Sequence, residues 1–499
     1  MLSLKKVSVQ SFEDNIAYIH KSCTGYRAFD VKTITRIEIH GGIQPVYASL
    51  HITEDINIVK PDELGLNSEA YEKLGLPEGA NVSIAQSPQP PSVESVKRKM
   101  EGSILSAGEY TAVINDISSN RYSMMEVASF LVACGSFMTA QEILSLTEAI
   151  AGENERVFWD NEEMVVDHHC IGGIPGNKVD LIIAPIVAAY GMAIPKTAAR
   201  SITSCSGVAD VMGVLANVDF NETKLKQLVT ENRGAIVCKD SLSIAPASKI
   251  LSTVERSVGV INQQHVAASI LALKLATGIT HLVLDVPVGP KARIKSMPEA
   301  MRLRKLIEYV GDMLSIEVDV VVTDGSEPIG SGVGAVLEAR DVMRVLRCKD
   351  NAPQDLREKS LFLAGRLLEF DPNLRGGQGY HIAKDILDSG KALEMMNKII
   401  YSQGREAPPV LGQLTRDVVA NTTGVVEAID NNRIMRIGVL AGASQDRGAG
   451  LDLIKKVGDS VEQGETLFRI HSTNPTDFAF ANGVVEGYSG YEISPRSHY

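Results

Sequence analysis

The spacing of hydrophobic and polar positions changes several times along this chain, and each change predicts a different kind of element. Up to about residue 85, short alternating runs such as RIEIH and VYASLHI are separated by Gly-Gly and Pro-Glu-Gly turns. Alternation of this kind predicts a small β-rich domain. The segment SPQPPS, residues 87–92, then predicts a stiff polar linker.

Two capping boxes predict helix starts beyond the linker. Ser123 stands three residues before Glu126, and Thr139 stands three residues before Glu142. In this pattern the hydroxyl and the carboxylate each satisfy a backbone donor of the first turn. Apolar residues follow at helical spacing, so a helical domain is expected. Residues 250–276, which are helical in their second half, are expected to complete it.

Between about residues 165 and 345, buried strands and a helix alternate. The runs HLVLDVPVG and VDVVVTDGSEPIG each end in a loop, and residues 300–314 between them have helical spacing. This alternation predicts a βαβ sheet with ligands at the carboxyl ends of its strands. After a second break at residues 403–413, the runs GVVEAIDNN, RIMRIGVLAGA and VGDSVEQGETLFRI predict strands only. The last run resembles the hammerhead hairpins of biotinyl and lipoyl carriers, but it has no lysine at a hairpin tip.

The predicted fold is therefore a multidomain α/β protein with four parts. These are a small β-rich N-terminal domain (1–86), a helical domain (92–164, completed by 250–276), a central α/β domain (165–249 and 277–403) and a C-terminal, β-rich α+β domain of hammerhead-like form (413–499).

Composition narrows the classes of function. The 499 residues carry a net charge of −12, their basic residues are scattered, and only 5% are aromatic. A nucleic-acid polymer or an anionic membrane surface is therefore not expected as a partner. No apolar run approaches about 18 residues, the start lacks a signal-peptide core, and the six cysteines form no CxxC pair. A cytoplasmic protein with reduced thiols is expected.

The stretch VDHHCIGGIPGNKVD, residues 166–180, is the first candidate site. It lacks the spacing of a phosphate-binding P-loop. A metal site is not expected either, because His168, His169 and Cys170 are adjacent and have no second ligand pair at a suitable distance. Two interpretations stay open: an anion cradle formed by a glycine turn and a helix start, or a turn whose glycines are purely structural.

Two further stretches are weaker candidates. The segment KTAARSITSCSGVAD, residues 196–210, is either a donor-rich pocket for a phosphate or sugar, or a loop whose hydroxyls cap its own backbone. The segment GSGVGAVLEARD, which begins at Gly330, lacks the last glycine of a dinucleotide fingerprint, so an NAD site is disfavoured. No GxSxG elbow supports a hydrolase. His265 and His281 stand among apolar residues and are expected to be core histidines.

Seven segments, taken in order over nearly the whole chain, resemble the thymidine and pyrimidine-nucleoside phosphorylases. The likeness extends to the longer bacterial type-2 thymidine phosphorylases and to archaeal AMP phosphorylases. The segments are VDHHCIGGIPGNKVD, IPKTAARSITSCSGVAD, LSIAPASK, VAASILALKLATG, LDVPVGPKARIKS, DGSEPIGSGVGAVLEARDV and LAGASQDRGAG followed by VGDSVEQGETLFRI.

The resemblance implies phosphorolysis. Inorganic phosphate, the only co-substrate, attacks C1′ of a pyrimidine nucleoside such as thymidine, or of a nucleoside 5′-monophosphate. The products are a free base and a sugar 1-phosphate. The resemblance also implies a helical domain and an α/β domain that close on each other, and a homodimer or higher homo-oligomer. Closure would bring the reactants together and exclude water.

The resemblance also implies site residues. Catalytic roles fall to His169, which orients the base or acts as a general acid, and to Arg200 and Asn262. The remaining contacts are with anion, sugar or base, and they fall to Gly172, Gly173, Lys178, Arg200, Ser201, Ile202, Thr203, Ser204, Ser269, Lys274 and Arg293.

Several positions depart from the family pattern. The family has a lysine at His168, hydroxyl residues at Val179 and Asp180, serines at Ala198 and Ala199, a threonine at Val208, an acidic residue near Ile261, and lysines at Leu273 and Arg293. A carboxylate a few Å from phosphate repels it by about 1 kcal/mol in water and by more inside a protein. Asp180 is therefore expected to weaken phosphate binding. An alternative function follows, a paralogue that binds a nucleoside or nucleotide as a sensor or uses another acceptor such as water.

Overall fold

The computed structural model of the protein describes residues 1–11, 14–23, 25, 36–152, 156–160, 162–201, 205–242, 244–259, 262–374 and 376–494. These residues divide into two units. The first comprises Met1–Glu155 and Ala245–Leu273, and the second comprises Arg156–Ile244 and Lys274–Tyr499. Each unit has its own secondary structure and its own apolar core.

The first unit begins with a closed barrel of six strands in the order β1-β5-β2-β4-β3-β6. Leu2 and Leu4 of β1, and Ile37 and Ile39 of β3, alternate into its core. The run RIEIH is β3 and the run VYASLHI lies within β4, so both predicted strands are confirmed. The elements are β1 (Leu2–Lys6), β2 (Ile16–His20), β3 (Arg36–His40), β4 (Val46–Thr53), β5 (Glu63–Leu66), α1 (Ser68–Leu74) and β6 (Asn81–Gln86).

Four helices follow: α2 (Val93–Met100), α3 (Ala107–Ser118), α4 (Met124–Ser136) and α5 (Ala140–Ala151). Both predicted capping boxes are confirmed at the starts of α4 and α5. The capping residue Glu142 has a second role. It is 1% exposed and accepts hydrogen bonds from the Lys99 ammonium at 2.6 Å and the Tyr110 hydroxyl at 3.1 Å, so it joins α2, α3 and α5.

The middle of the chain alternates strands and helices. In chain order its elements are β7 (Val166–Cys170), α6 (Asp180–Tyr190), β8 (Ile194–Ala198), α7 (Val208–Met212), α8 (Glu222–Asn232), β9 (Gly234–Cys238), α9 (Ala247–Val258), α10 (Gln263–Ala276), β10 (His281–Val288), α11 (Met297–Met313), β11 (Glu317–Asp324), β12 (Gly332–Val333), α12 (Ala335–Leu346), α13 (Gln354–Leu368), α14 (Gln378–Asp388) and α15 (Lys391–Gln403). Of these, α9 and most of α10 belong to the first unit.

The central sheet of the second unit is parallel. Strand β10 pairs with β7 on one side and with β11 on the other, and β8 pairs with β9. A parallel bridge between Val165 and Ala193 joins the two groups. Both predicted strands and the helix between them are present as β10, β11 and α11, so the βαβ prediction is confirmed.

Helix α6 is the centre of this unit. Its residues from Asp180 to Ala188 are buried, and it packs against α13, α14, α15 and β9. A helix that is apolar on all sides is a core helix. Since α6 begins at Asp180, the apolar core fixes the position of that carboxylate.

The C-terminal part contains β13 (Leu414–Val419), β14 (Gly424–Ile429), α16 (Asn431–Leu440), β15 (Gly450–Leu453), β16 (Ser460–Val461), β17 (Thr466–Ser472), α17 (Pro475–Gly487) and β18 (Tyr491–Ser494). The expectation of strands only is wrong, because the run RIMRIGVLAGA forms most of α16. The Asp430 side chain accepts from the backbone of Asn432 and Arg433 and starts the helix. Ile434 and Ile437, three residues apart, are buried on one face.

The turn at Gly176 gives a prediction for stability. Its φ is +75°, and an added Cβ would lie 2.0 Å from the carbonyl oxygen of Ile329. Gly191 has a φ of +113° but open space around an added Cβ. We expect Gly191→Ala to cost about 1–2 kcal/mol for the backbone conformation alone. Gly176→Ala should cost at least about 1 kcal/mol more, because the clash adds to the strain.

Denaturant unfolding of the second unit, followed by intrinsic fluorescence of Trp159, compares the two variants. Equal losses of stability would show that the close approach to Ile329 has no energetic consequence.

Candidate functional site

Three of the predicted loops lie at the same edge of the central sheet. Gly172 and Gly173 follow β7, Arg200 and Ser201 follow β8, and Arg293 follows β10. The carboxyl ends of neighbouring parallel strands share one edge of a sheet, which is where α/β proteins bind ligands. The second unit therefore brings these five residues to one edge. Ile202, Thr203 and Ser204 lie outside the described residues, as does Ile261.

The glycine turn is tied to the loop after β10. Gly173 has a φ of +91°, and an added Cβ would lie 3.1 Å from the backbone nitrogen of Arg293. The Arg293 guanidinium donates to the carbonyl oxygen of Ile171 at 3.2 Å. The glycine is thus required by the backbone, and the contact holds the Arg293 side chain beside the turn.

Some of the backbone N–H groups in the first turn of α6 already donate hydrogen bonds to nearby backbone carbonyls. The N–H of Leu181 donates to Lys178 O at 3.2 Å, and the N–H groups of Ile182 and Ile183 donate to Val179 O at 2.9 and 2.8 Å. An anion at this helix start would therefore find fewer free donors than at an uncapped helix. Two interpretations of this stretch were open. The backbone requires the glycine, as the structural interpretation predicts, and the anion cradle stays a prediction.

Behind the edge lies a buried chain of alternating charges. The Lys274 ammonium contacts Asp167 at 2.5 Å, and Asp167 lies 3.5 Å from the Lys196 ammonium. Lys196 contacts Asp180 at 2.9 Å, and Asp180 contacts Nδ1 of His168 at 2.7 Å. Each of these side chains is at most 8% exposed. Asp167 therefore lies between the two lysine ammonium groups, and Asp180 lies between Lys196 and the His168 imidazole.

This line of buried ion pairs corrects the expectation for Asp180. The carboxylate is not an unpaired charge at the mouth of a phosphate site, because it is 6% exposed and has two partners. Burial opposes its ionisation, but Lys196 and His168 together hold the pKa of Asp180 far below its usual range. His168, the residue that stands in place of the family's lysine, is one of these partners. The two departures from the family pattern are therefore coupled.

The same cluster sets the charge of His169. Burial, followed by the positive charges of Lys274 and Lys196, lowers the pKa of His169 well below the usual imidazole value. At pH 7 its imidazole is neutral, so it is suited to donate or accept a hydrogen bond and unsuited to act as an imidazolium acid.

Lys178 lies in a second buried ion pair. Its ammonium contacts Glu338 of α12 at 2.8 Å and is 3% exposed. Glu338 also accepts from the Ser206 hydroxyl at 2.7 Å and the Gly334 N–H at 3.0 Å. The pair joins the loops after β7 and β8 to α12. Lys178 therefore has a structural partner, and its role as an anion ligand stays a prediction.

Arg200 is held by two carboxylates. It contacts Asp219 at 2.7 Å and Asp210 at 3.5 Å. Asp210 also accepts from the backbone N–H groups of Ser201 at 2.7 Å and Gly207 at 2.8 Å, on either side of residues 202–204. Asp210 therefore holds the backbone of Ser201 and Gly207 within the predicted donor-rich segment.

Sequence reasoning missed several of these supporting residues. Asp167, Lys196, Glu338 and Asp210 were not assigned a role, although they lie within the candidate stretches. A signal existed for two of them, since Asp167 and Lys196 are ionisable residues inside strands that are otherwise apolar. A buried charge requires a partner, so such residues point to a cluster.

The two remaining predicted residues belong to the first unit. Asn262 immediately precedes α10 and is 8% exposed, and its Nδ2 has no hydrogen-bond partner among the described residues. Ser269 lies on α10 and is half-buried. In the described part of the chain, no group of three or more His, Cys, Asp or Glu side chains could hold a metal ion. The described helices include none that is long and apolar enough to cross a membrane.

The charge chain gives a prediction for stability against pH. Folding lowers the pKa of Asp180. Its contribution to the free energy of unfolding is therefore fully present above the unfolded pKa of about 3.9 and is lost as the pH falls below that value. We expect Asp180→Asn to cost about 3 kcal/mol or more at pH 7, because one partner of a buried pair is removed. The difference in free energy of unfolding between the wild type and Asp180→Asn should narrow below about pH 4.

Urea unfolding between pH 3 and pH 8 measures this gap. Asp219→Asn is the control, because Asp219 pairs with Arg200 while about half exposed, and such pairs contribute at most about 1 kcal/mol. A loss for Asp180→Asn no larger than that of the control would contradict the account of the charge chain.

Family models match three parts of the chain. Residues 93–152 match the helical bundle domain of a glycosyl transferase family, and residues 162–393 match the a/b domain of that family. Residues 425–491 match the pyrimidine nucleoside phosphorylase C-terminal domain. The chain is thus a multidomain α/β protein with a helical bundle domain and a phosphorylase C-terminal domain.

Relatives match over nearly their full length. A protein of Methylococcus capsulatus described as "Putative thymidine phosphorylase" is 47% identical over 494 residues, which cover 99% of this chain and 96% of the relative. A protein of Albidiferax ferrireducens with the same description is 44% identical over 497 residues, which cover 99% and 95%.

A solved structure shares the fold. Anthranilate phosphoribosyltransferase from Thermus thermophilus superposes with a TM-score of 0.51 at 18% identity, over 62% of this chain and 99% of that one. From the matched domains and the full-length relatives together, the chain belongs to the thymidine and pyrimidine-nucleoside phosphorylase family of glycosyl transferases.

Proposed function

We propose that this protein is an active nucleoside phosphorylase that transfers a pentosyl group to inorganic phosphate. The substrate is a pyrimidine nucleoside such as thymidine, or a nucleoside 5′-monophosphate, and phosphate is the only co-substrate. The observation that carries the proposal is the meeting of three loops at one sheet edge, in front of a charge chain whose carboxylates are compensated. A homodimer in the cytoplasm is part of the proposal.

The reaction forms a bond between a phosphate oxygen and C1′ of the sugar and breaks the bond between C1′ and the base. Two kinds of group are then needed. Positive charge and N–H donors must hold the phosphate dianion, and a donor must stabilise the charge that develops on the leaving base. Arg200 and Arg293, together with the backbone of the Gly172–Gly173 turn, are the groups at the sheet edge suited to the first task.

His169 is suited to the second task. Its neutral imidazole can donate one hydrogen bond to a carbonyl oxygen of the base as negative charge develops there. Between the two roles considered for it, the lowered pKa of His169 favours orientation and hydrogen bonding over proton transfer from an imidazolium. Asn262 and Ser269, which belong to the first unit, stay predictions as catalytic and base-contacting residues.

The alternative of a chain that only binds nucleosides is less well supported. One of its physical arguments is an uncompensated Asp180, and that carboxylate is paired. The apolar replacements remain: Val179 is 0% exposed and Ala198 is 4% exposed. Neither side chain offers a donor, so at these two positions phosphate would depend on backbone N–H groups and arginine rather than on hydroxyls.

The function is tested by release of free base. Purified full-length protein is mixed with thymidine, uridine, AMP, CMP or UMP at millimolar concentration, with phosphate or with sulfate. We expect base release from at least one substrate with phosphate and none with sulfate. Sugar 1-phosphate should appear in equal amount. Release that is independent of phosphate would identify water as the acceptor, and no release from any substrate would contradict the proposal.

The role of His169 gives a second prediction. His169→Gln keeps an N–H donor, whereas His169→Ala removes it. We expect kcat to fall by about 10²-fold or more in the alanine variant, and by clearly less in the glutamine variant. His281→Ala is the control, because the His281 ring packs against Phe370 and, among the described residues, has no ion pair with a residue of the charge chain. Equal losses for His169→Gln and His169→Ala would contradict the hydrogen-bonding role.

A further inference from the structure

One lysine of the C-terminal part holds the loop between β11 and β12, residues 325–331. The Lys456 ammonium donates to the carbonyl oxygens of Pro328 and Gly330, the second at 3.2 Å. It also pairs with the Asp355 carboxylate of α13 at 3.0 Å. An ammonium group has three N–H donors, and here three acceptors surround them. Lys456 is therefore engaged by the protein itself and is not placed to bind a ligand.

The loop has further polar contacts on both sides. The Gly330 N–H donates to the Asp355 carboxylate at 3.0 Å, so both backbone polar groups of Gly330 have partners. The Val457 N–H, next to Lys456, donates to the Glu327 carboxylate at 3.0 Å. The C-terminal part and α13 together hold the loop through these contacts.

The loop in turn holds the glycine turn after β7. Ile329, which lies between the two carbonyls that Lys456 contacts, donates its N–H to Pro175 O at 3.0 Å. Gly176 approaches the loop so closely that an added Cβ would lie 2.0 Å from the Ile329 carbonyl oxygen. Pro175 is two residues beyond the Gly172–Gly173 turn, so the position of the turn depends on the loop.

We propose that Lys456 is a positioning residue for phosphate binding, which keeps the loop 325–331 against the Gly172–Gly173 turn and so fixes the geometry of the backbone that faces the anion. This inference rests on the proposed function, in which that turn helps to hold phosphate. It gives the C-terminal part a role in binding the co-substrate, in addition to forming its own core.

Burial explains why the loop needs this lysine. Pro328, Ile329 and Gly330 are all buried. A buried carbonyl that loses its donor is costly, so the loop would shift towards water if the ammonium were removed. Because the Ile329 N–H is bonded to Pro175, such a shift would carry the glycine turn with it.

Phosphate affinity tests this role. Lys456→Met keeps nearly the length of the side chain but has no donor. With full-length protein at pH 7.5, we expect calorimetric titration with inorganic phosphate to show a Kd about five- to tenfold higher in this variant. In assays of base release, KM for phosphate should rise by a similar factor, while kcat and KM for the nucleoside stay within about twofold.

Lys455→Met is the matched control. It removes the same charge from the adjacent residue, whose ammonium contacts Glu465 at 2.5 Å and Ser460 O at 3.2 Å. We expect this variant to bind phosphate as the wild type does. Lys456→Gln keeps N–H donors on a shorter side chain, so its loss of affinity should be smaller, and it replaces the methionine variant if that one does not fold.

Hydrogen exchange shows whether the effect travels through the loop. In Lys456→Met, the backbone amides of residues 171–178 and 325–331 should exchange faster than in the wild type, whereas those of β17 should be unchanged. Unchanged exchange at residues 171–178 would overturn the inference.

The outcomes separate this inference from the proposed function. If no base is released, but phosphate binds and only the Lys456 variants weaken its binding, the proposed function fails and the inference stands. Equal phosphate affinity in Lys456→Met and the wild type overturns the inference, as does a wild type that binds no phosphate. Equal losses in Lys456→Met and Lys455→Met would show a general charge effect and would also overturn it. A fall in kcat together with a rise in both KM values would show a general structural loss, with the same consequence.

Discussion

The structure depends on one constraint, which is that a carboxylate at the start of a core helix cannot remain without a partner. Asp180 is fixed there because α6 is apolar on all sides and packs against α13, α14 and α15. Lys196 and His168 supply the compensating contacts from the adjacent strands β8 and β7. Lys196 in turn contacts Asp167, which contacts Lys274. The need to compensate one buried carboxylate therefore determines how the polar groups behind the sheet edge are arranged.

This arrangement joins structure to chemistry. Burial, together with the cations that compensate the carboxylates, lowers the pKa of His169 and keeps its ring neutral, which suits it to hydrogen-bond a leaving base. A second ion pair, between Lys178 and Glu338, ties the loop after β7 to Ser206 in the loop after β8, and Asp210 holds the backbone of Ser201 and Gly207. The candidate site is thus held by buried polar contacts rather than by loop packing alone.

Much of the fold could be predicted from the sequence, because its signals are local. Alternation predicted β3 and β4, reciprocal capping predicted the starts of α4 and α5, and apolar runs predicted β10 and β11. Helix α16 was missed, because a short apolar run has no clear period and the capping role of Asp430 was overlooked. The pairing of His168 with Asp180 could not be predicted, since it joins residues twelve positions apart across a turn, and Lys196 completes it from another strand.

The central claim is that Asp180 is compensated and does not repel phosphate. Calorimetric titration of the wild type and of Asp180→Asn with inorganic phosphate at pH 7.5 tests it most directly. The account predicts that the substitution leaves phosphate binding unchanged or weakens it, because Lys196 and His168 lose the charged partner that they share and the sheet edge loosens. Binding that becomes about tenfold tighter in Asp180→Asn would show a repelling carboxylate and would contradict the account.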